Sequence, residues 1–225
     1  MYINSIILAA GKGKRMNSNF PKPLHKVAGK TFLHWLKETL KKASVSKNIF
    51  VLGHNNEQLK KHIEGEEFVI QEPQLGTGHA VKLAKEKIKD HESLIIVAYA
   101  DTPFIEADTI RKMINQIQNG FKISILGFKT NNPAGYGRII TEKNNEVIRI
   151  VEDNDADEEV KSITLCNSGV LAGKASDIFK FLDKVQLSNN GEYYLTDIIS
   201  ICSSQGSKVG YIPSPEDELI GINNR

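Results

Sequence analysis

Apolar residues follow two different periods along the first half of the chain. Short continuous apolar runs alternate with segments in which apolar residues recur every three or four positions. Residues 3–10 (INSIILAA) are such a run and predict a buried strand. Residues 31–43 (TFLHWLKETLKKA) place Phe32, Leu33 and Leu36 on one face and predict an amphipathic helix.

This alternation continues to residue 129. Further strands are predicted at residues 48–53, 67–71, 93–101 and 122–128, and further helices at residues 55–63, 78–88 and 106–118. Repeated strand–helix units build a mainly parallel sheet with helices on both faces. The first part of the chain therefore predicts an α/β fold.

The pattern changes after Lys129. Residues 136–152 (YGRIITEKNNEVIRIVE) predict an antiparallel hairpin that turns at Asn144 and Asn145, and the acidic residues 153–159 predict a solvated loop. Strands at residues 163–173 and 208–213 and helices at residues 175–185 and 193–204 complete the prediction. Because no linker or internal repeat is found, we expect residues 1–225 to form one domain with a hairpin insertion.

Composition and charge exclude several classes of protein. With 40% hydrophobic and 25% charged residues, the chain has an ordinary globular composition. A net charge of +2 gives no basic footprint for nucleic acid, and no apolar run is long enough to predict a membrane span. Cys166 and Cys202 form no CxxC pair and are expected to be buried, which favours a cytoplasmic location.

The first glycine-rich segment follows the first predicted strand. Gly11 and Gly13 allow the main chain to approach a phosphate closely, and Arg15 and Lys22 supply cations. The segment is not a dinucleotide fingerprint, because Met16 stands at the third glycine position. Nor does AGKT at residues 28–31 end a P-loop, because the first glycine of that motif would fall on Leu24. A generic basic surface loop remains an alternative for this segment taken alone.

Three further features favour a nucleotide site with magnesium. QLGTGHA at residues 74–80 contains a second glycine pair between a strand and a helix. Asp101 ends a strongly apolar strand, where a carboxylate is costly unless it binds a cation or caps another group. GINNR at residues 221–225 offers amide oxygens. Since Mg²⁺ takes few protein oxygens and completes its shell with water and phosphate, this set would suffice to hold it.

Nine segments together resemble, in order, the motifs of the sugar-1-phosphate nucleotidyltransferases. They are LAAGKGKRM, PKPLHKVAGK, QLGTGHA, YADTP, GYGRI, VEDNDA, NSGV, GEYYLTD and GINNR. QLGTGHA and GEYYLTD are similar to the N-acetylglucosamine-1-phosphate uridylyltransferase branch, whose domains belong to bifunctional UDP-N-acetylglucosamine-synthesising enzymes. The resemblance implies a Rossmann-like, three-layer nucleotide-diphospho-sugar transferase fold with a mainly parallel mixed sheet.

The resemblance also implies roles for individual residues. Residues implied in binding the nucleotide through their backbone are Leu8, Ala9, Ala10 and Gly11. Arg15 and Lys22 are implied to neutralise the reacting phosphates, and Gln71, Gly76 and Thr77 to read uracil. Residues implied to line the site or to hold the amino sugar are Tyr99, Ala100, Gly137, Glu152 and Asn167. Asp101 and Asn223 are implied to be the protein ligands of Mg²⁺.

The implied reaction is Mg²⁺-dependent transfer of UMP from UTP to N-acetylglucosamine 1-phosphate. Ala100 stands where the family has glycine, which leaves transfer to another sugar or alcohol phosphate open. A non-catalytic nucleotide-sugar-binding subunit is a further alternative. The β-helix domain that follows in the bifunctional branch, with its acetyltransferase and trimer contacts, is not part of this sequence, so no such trimer is expected.

Overall fold

The computed structural model describes residues 2–11, 20–54, 56–142 and 146–219. The strands are β1 (Ile3–Ala9), β2 (Lys26–Val27), β3 (Lys30–Thr31), β4 (Lys47–Gly53), β5 (Glu67–Gln71), β6 (Leu94–Tyr99), β7 (Ile123–Lys129), β8 (Arg138–Thr141), β9 (Val147–Val151), β10 (Leu165–Lys174) and β11 (Val209–Pro213). The α-helices are α1 (Phe32–Lys42), α2 (Glu57–His62), α3 (Thr77–Leu83), α4 (Ala107–Gln118), α5 (Glu158–Lys161), α6 (Ala175–Leu182), α7 (Asp197–Ser204) and α8 (Glu216–Leu219). Short 3₁₀ helices cover Lys22–Leu24, Ala84–Lys87 and Asp153–Asp155.

One mixed sheet organises the domain. Its strand order is β11-β7-β10-β6-β1-β4-β5, and β8 joins it through β10 and pairs with β9. β1 is parallel to β4 and β6, β4 to β5, and β7 to β11. β10 is antiparallel to both β6 and β7 and separates them. The prediction of a mainly parallel sheet with an antiparallel hairpin is confirmed.

The two faces of the sheet are covered by different helices. On β1, Ile3 and Ile7 pack in the core cluster that includes residues of α1, α2 and α4, whereas Ile6 and Leu8 pack in the cluster that includes residues of α3, α6 and α7. This alternation follows from the period of two along a strand. Because both faces are buried, β1 needs apolar residues at nearly every position, which explains its continuous apolar run. The predicted three-layer architecture is confirmed.

Helix α1 shows why the predicted helices form. The hydroxyl of Thr31 accepts a hydrogen bond of 3.1 Å from the backbone N–H of His34, which caps the first turn. Leu33, Leu36 and Leu40 are at most 2% exposed and pack on the sheet. Burying each of these side chains contributes roughly 1.5–3 kcal/mol. Tertiary packing of one face therefore stabilises this helix more than its cap does.

The AGKT segment is a turn between two short strands. Ala28 and Gly29 have φ angles of 48° and 81° and connect β2 with β3. Two consecutive positive φ angles suit a two-residue hairpin turn. Trp35 of α1 donates its indole N–H to Val27 O at 3.0 Å and fixes this ribbon on the helix. The interpretation of Gly29 as a turn residue is confirmed.

Several predicted boundaries were wrong. The helix predicted at 193–204 begins only at Asp197, because Tyr193 hydrogen-bonds Leu75 and Gly78 beside the start of α3 and residues 195–196 form a turn. The helix predicted at 78–88 divides into α3 and a 3₁₀ segment. The predicted acidic loop contains a 3₁₀ helix and α5. Asn144 and Asn145, the predicted hairpin turn, lie outside the described residues.

Both cysteines are buried free thiols, as predicted. Burial raises the pKa of Cys202 to about 12 and also raises the pKa of Cys166 above its ordinary value. Both side chains therefore stay protonated and behave as small hydrophobic groups.

No helix in the described ranges is long and apolar enough to cross a membrane.

Candidate active site

The predicted nucleotide-binding residues lie where the parallel strands end. Because β1, β4, β5 and β6 are parallel, their carboxyl ends lie at the same edge of the sheet, where open α/β sheets bind ligands. Leu8, Ala9 and Ala10 are each 8% exposed, and Gly11 is exposed at the rim. The backbone of Gly11 is therefore accessible to a ligand.

Lys22 and Asp101 form an ion pair at this edge. Lys22 Nζ donates to Asp101 Oδ2, and the side chains are 13% and 27% exposed. Lys22 begins a 3₁₀ turn between Pro21 and Pro23, which stiffens the segment, and Asp101 lies two residues after the end of β6. Partial burial strengthens such a pair relative to one in bulk water. The predicted phosphate-binding cation and the predicted metal ligand are thus in direct contact.

The methyl group of Ala100 points into the core. Ala100 is 2% exposed and belongs to the cluster that contains Ala98, Ile105 and Val170. Its backbone N–H donates to Leu8 O at 3.1 Å, which ties the ends of β1 and β6 together. The extra carbon relative to glycine is therefore accommodated on the face of the sheet that α1, α2 and α4 cover.

Gln71 is held at the end of β5 by two contacts. Gln71 is only 4% exposed, and its Nε2 donates to Gly76 O at 2.8 Å. Nε2 also lies 3.3 Å from His79 Nδ1. Burial, aided by the charge of Lys82, lowers the pKa of His79, so the ring is neutral at pH 7 and its Nδ1 accepts this hydrogen bond. His79 thus helps to orient the side-chain amide of Gln71.

The glycines of QLGTGHA allow the GEYYLTD segment to pack closely. A Cβ at Gly76 would lie 2.7 Å from Tyr193 O, and a Cβ at Gly78 would lie 2.9 Å from the same oxygen. Gly78 N–H donates to Tyr193 O at 2.8 Å, and Leu195 N–H donates to Thr77 Oγ1 at 3.1 Å. The two segments with the most specific resemblance are therefore neighbours in space.

Tyr99 stands between the two halves of the site. A Cβ at Gly169 would lie 2.4 Å from the Tyr99 ring, so only glycine fits there. Burial, followed by the charges of Glu152 and Asp101, raises the pKa of the Tyr99 phenol above its ordinary value. The phenol hydrogen-bonds the Thr77 side chain and remains protonated at neutral pH.

The second half of the site comes from the hairpin, β10 and the start of α7. Because β10 runs opposite to β6, its first residues lie at the carboxyl edge, and Asn167 N–H donates to Gly137 O at 2.8 Å. A Cβ at Gly137 would lie 3.4 Å from Glu152 Oε2. Thr196 Oγ1 donates to Glu152 Oε1 at 2.6 Å. Gly137, Glu152 and Asn167, predicted together from the resemblance, are therefore adjacent.

The environment of Glu152 is anionic and partly dry. Burial is the main cause that raises its pKa, the Thr196 hydrogen bond opposes this, and the charges of Asp155, Glu192 and Asp153 raise it further. A small cleft beside it is lined by residues that include Tyr99, Ile150, Asn167, Gly169, Leu195 and Thr196. The cleft is only about the size of one water molecule and has mainly apolar walls with a few polar groups.

Two predicted site residues cannot be placed, and two residues of the site were not predicted. Arg15 and Asn223 fall outside the described residues. Among the described residues, no group of three or more His, Cys, Asp or Glu side chains could hold a metal ion. Sequence reasoning quoted the segments of Thr196 and Gly169 but gave these residues no role. The glycine of NSGV and the threonine of GEYYLTD were the signals that could have identified them.

Comparisons with known proteins agree with this geometry. The model of the MobA-like NTP transferase domain matches residues 5–157. The bifunctional protein GlmU of Clostridioides difficile is 40% identical over 100% of this chain and 50% of its own length, and that of Zymomonas mobilis is 39% identical over 99% and 51%. The chain thus spans about half the length of these curated relatives.

Solved structures agree on the fold. A UDP-glucose pyrophosphorylase complexed with UDP-glucose matches with a TM-score of 0.79 and 19% identity, over 94% of this chain and 90% of the other. A putative glucose-1-phosphate thymidylyltransferase from Bacillus anthracis matches with a TM-score of 0.79 and 20% identity, over 94% and 87%. The family expected from the sequence motifs is confirmed: the chain belongs to the MobA-like NTP transferase domain family and is a nucleotidyltransferase.

Proposed function

We propose that this chain transfers UMP from UTP to N-acetylglucosamine 1-phosphate and releases pyrophosphate. The observation that carries the proposal is the convergence at one sheet edge of the Lys22–Asp101 pair with Gln71 and the Glu152–Asn167 group. The sequence resemblance to the uridylyltransferase branch and the similarity to the GlmU proteins support the choice of substrates.

The reaction needs positioning and charge neutralisation more than a protein nucleophile. An anionic oxygen of the sugar 1-phosphate forms a bond to the α-phosphorus of UTP, the bond from that phosphorus to the bridging oxygen breaks, and pyrophosphate leaves. The attacking oxygen is already deprotonated at neutral pH, so no general base is required. Two anions must be held together, which is the task that fixed cations perform.

Lys22 and Asp101 supply the charges at the phosphate end. Lys22 is positioned on a stiffened segment to offset phosphate charge, and Arg15, seven residues earlier in the sequence, is proposed as a second cation. Asp101 fits a Mg²⁺ ligand, because Mg²⁺ uses one or two carboxylates together with substrate phosphates and water; Asn223 is proposed as the second protein ligand. Bound Mg²⁺ would supply electrostatic stabilisation of the phosphate oxygens. Binding of this ion to Asp101 would weaken its pair with Lys22, and the ammonium would then offset the charge of the phosphates.

Gln71 and Glu152 give specificity at opposite ends. Since Nε2 of Gln71 is held by Gly76 O and His79, its Oε1 is the atom proposed to accept from a ring N–H such as that of uracil. Since Oε1 of Glu152 accepts from Thr196, its Oε2 beside Gly137 is the oxygen available to sugar hydroxyls or an amide N–H. The core position of Ala100 argues against its methyl group altering the acceptor.

A coupled pyrophosphate assay tests the proposal. UTP, Mg²⁺ and N-acetylglucosamine 1-phosphate are expected to give pyrophosphate faster than glucose 1-phosphate, an alcohol phosphate, or CTP in place of UTP. A faster reaction with another acceptor would assign the chain to that substrate instead. Calorimetry that showed UDP-sugar binding without turnover would favour a non-catalytic subunit.

Two variants test the role of Asp101. Asp101→Asn is expected to lower kcat by roughly 100-fold or more, by analogy with loss of an electrostatic stabiliser, and to weaken Mn²⁺ binding measured by electron paramagnetic resonance. Asp177→Asn is the matched control, because Asp177 is paired with Lys122 at 3.0 Å before the amino end of β7, away from the site. Unchanged Mn²⁺ binding by Asp101→Asn would remove the metal assignment.

A further inference from the structure

Arg138 is the largest side chain that is fully buried in the described part of the chain. It begins β8, lies opposite Val151 of β9 and Cys166 of β10, and is 1% exposed. A buried guanidinium is costly unless its N–H groups are satisfied. Its burial on β8, the strand that lies between β9 and β10, therefore calls for a reason.

The guanidinium joins two loops. Nη1 donates to Tyr136 O, and Nη2 donates to Asp153 Oδ1 at 2.9 Å. Asp153 in turn accepts from the backbone N–H of Gly135, and this bond, followed by Arg138, holds the pKa of the Asp153 carboxyl below its usual range. The loop before β8 and the turn after β9 are thus tied through one buried cation.

These two loops carry the sugar-end residues. Arg138 follows Gly137 directly, and Asp153 follows Glu152 directly. The ion pair therefore fixes the separation between the backbone of Gly137 and the carboxylate of Glu152, where a Cβ on Gly137 would come within 3.4 Å of Oε2.

We propose that Arg138 is a positioning residue that sets the width of the sugar end of the site. This inference rests on the proposed function, because it assumes that Gly137 and Glu152 hold the sugar of the acceptor. Arg138 acts through these neighbours and through Asp153, since its own side chain is buried away from solvent.

A lysine cannot replace this arrangement. Arg138 reaches Tyr136 O and Asp153 at once with two nitrogens of a planar group, whereas an ammonium is a single point charge. Arg138→Lys keeps the charge and loses the two-point tie. Asp153→Asn is the milder variant, because Asp153 is 31% exposed and its amide oxygen still accepts a hydrogen bond.

Steady-state kinetics separate positioning from stability. For Arg138→Lys we expect KM for N-acetylglucosamine 1-phosphate to rise roughly 10-fold or more, since small misplacements of a binding group are expensive, and KM for UTP to change less than about 2-fold. For Asp153→Asn, which keeps an acceptor but loses the charge, we expect a smaller rise of the same KM, by roughly 3-fold. The preference for N-acetylglucosamine 1-phosphate over glucose 1-phosphate should fall as well. Lys122→Met, which breaks the remote pair with Asp177, should leave both KM values unchanged.

Four results would overturn the inference. Equal changes in both KM values, or a lowered melting temperature with unchanged KM values, would make Arg138 a structural residue only. If Arg138→Lys does not fold, an Asp153→Asn protein with wild-type kinetics would refute the positioning role. A wild-type protein that transfers UMP to no sugar phosphate would refute the proposed function, and the positioning role with it.

Discussion

Replacing Gly76 by alanine tests the close packing of the QLGTGHA segment against the GEYYLTD segment. Gly76 precedes α3 with φ 93° and ψ 176°, a region that essentially only glycine adopts. An added Cβ would also lie 2.7 Å from Tyr193 O and 2.9 Å from both Tyr193 N and the Cβ of Glu192. Backbone atoms account for two of these contacts, so the crowding cannot be relieved by rotating a side chain.

Two separate costs give the expected magnitude. The backbone conformation costs an alanine about 1–3 kcal/mol, and forcing an extra carbon into a packed interface costs about 1–3 kcal/mol more. The free energy of unfolding should therefore fall by roughly 2–6 kcal/mol. For a chain of this size each 1 kcal/mol lowers the melting temperature by about 2–4 °C, so a loss of roughly 5–20 °C is expected.

The control is a glycine that shares only the backbone cost. Gly206, after α7, has φ 71° and no atom within 4 Å of an added Cβ. Gly206→Ala should lose only about 1–2 kcal/mol. Urea and thermal unfolding of both variants, followed by circular dichroism, measure the difference, and steady-state kinetics report whether the displaced GEYYLTD segment also impairs turnover.

The comparison has a clear refuting outcome. If Gly76→Ala unfolds at the same temperature and urea concentration as Gly206→Ala, the contact with Tyr193 imposes no constraint. The claim that QLGTGHA and GEYYLTD require one another would then be wrong, and their joint occurrence would need another explanation.

Three further substitutions test the site and the packing of helix α8. Glu152→Gln should be at least as stable as the wild type at neutral pH. Burial raises the pKa of Glu152 above 4.5, so the wild type loses folding free energy as the pH rises from 4.5 through the raised pKa, whereas glutamine does not titrate. Urea unfolding across pH 4–8 measures the difference. Lys22→Gln should lower kcat about 100-fold and tighten Mn²⁺ binding, because Asp101 loses its competitor; weaker Mn²⁺ binding would contradict the assignment. Glu218→Ala should lower the free energy of unfolding by about 1–3 kcal/mol, because Glu218 accepts from Thr109 at 2.9 Å; an unchanged urea midpoint would exclude this role.

Local patterns predicted the parallel half of the fold well. β1 reads as one apolar run because both of its faces are buried, and α1 shows a single apolar stripe because one face is buried. The loops at the ends of β1 and β6 could be assigned to one edge from strand direction alone. Asp101 was predicted to end a buried strand, whereas its ion pair with Lys22 was not predicted.

The antiparallel half depends on information that no local pattern contains. β10 was predicted as a strand, yet nothing in its sequence gives its direction or its place between β6 and β7. That direction is what brings Asn167 to the same edge as Asp101. Similarly, residues 193–196 were predicted as helical, but hydrogen bonds of Tyr193 and Leu195 with residues 75–78 hold this segment outside α7.

The charge distribution of the assembled cleft argues for one orientation of the substrates. Lys22 supplies a cation at the β1–β6 end, whereas the charges that act on Glu152 at the β10 end are those of Asp155, Glu192 and Asp153. Lys22 offsets the charge of Asp101 at the first end, so a phosphate is repelled less there than at the second, and hydroxyl or amide N–H donors are favoured where carboxylates gather. The proposed reaction places both phosphate groups beside Lys22 and the sugar beside Glu152, so the field of the protein itself would align the acceptor for attack.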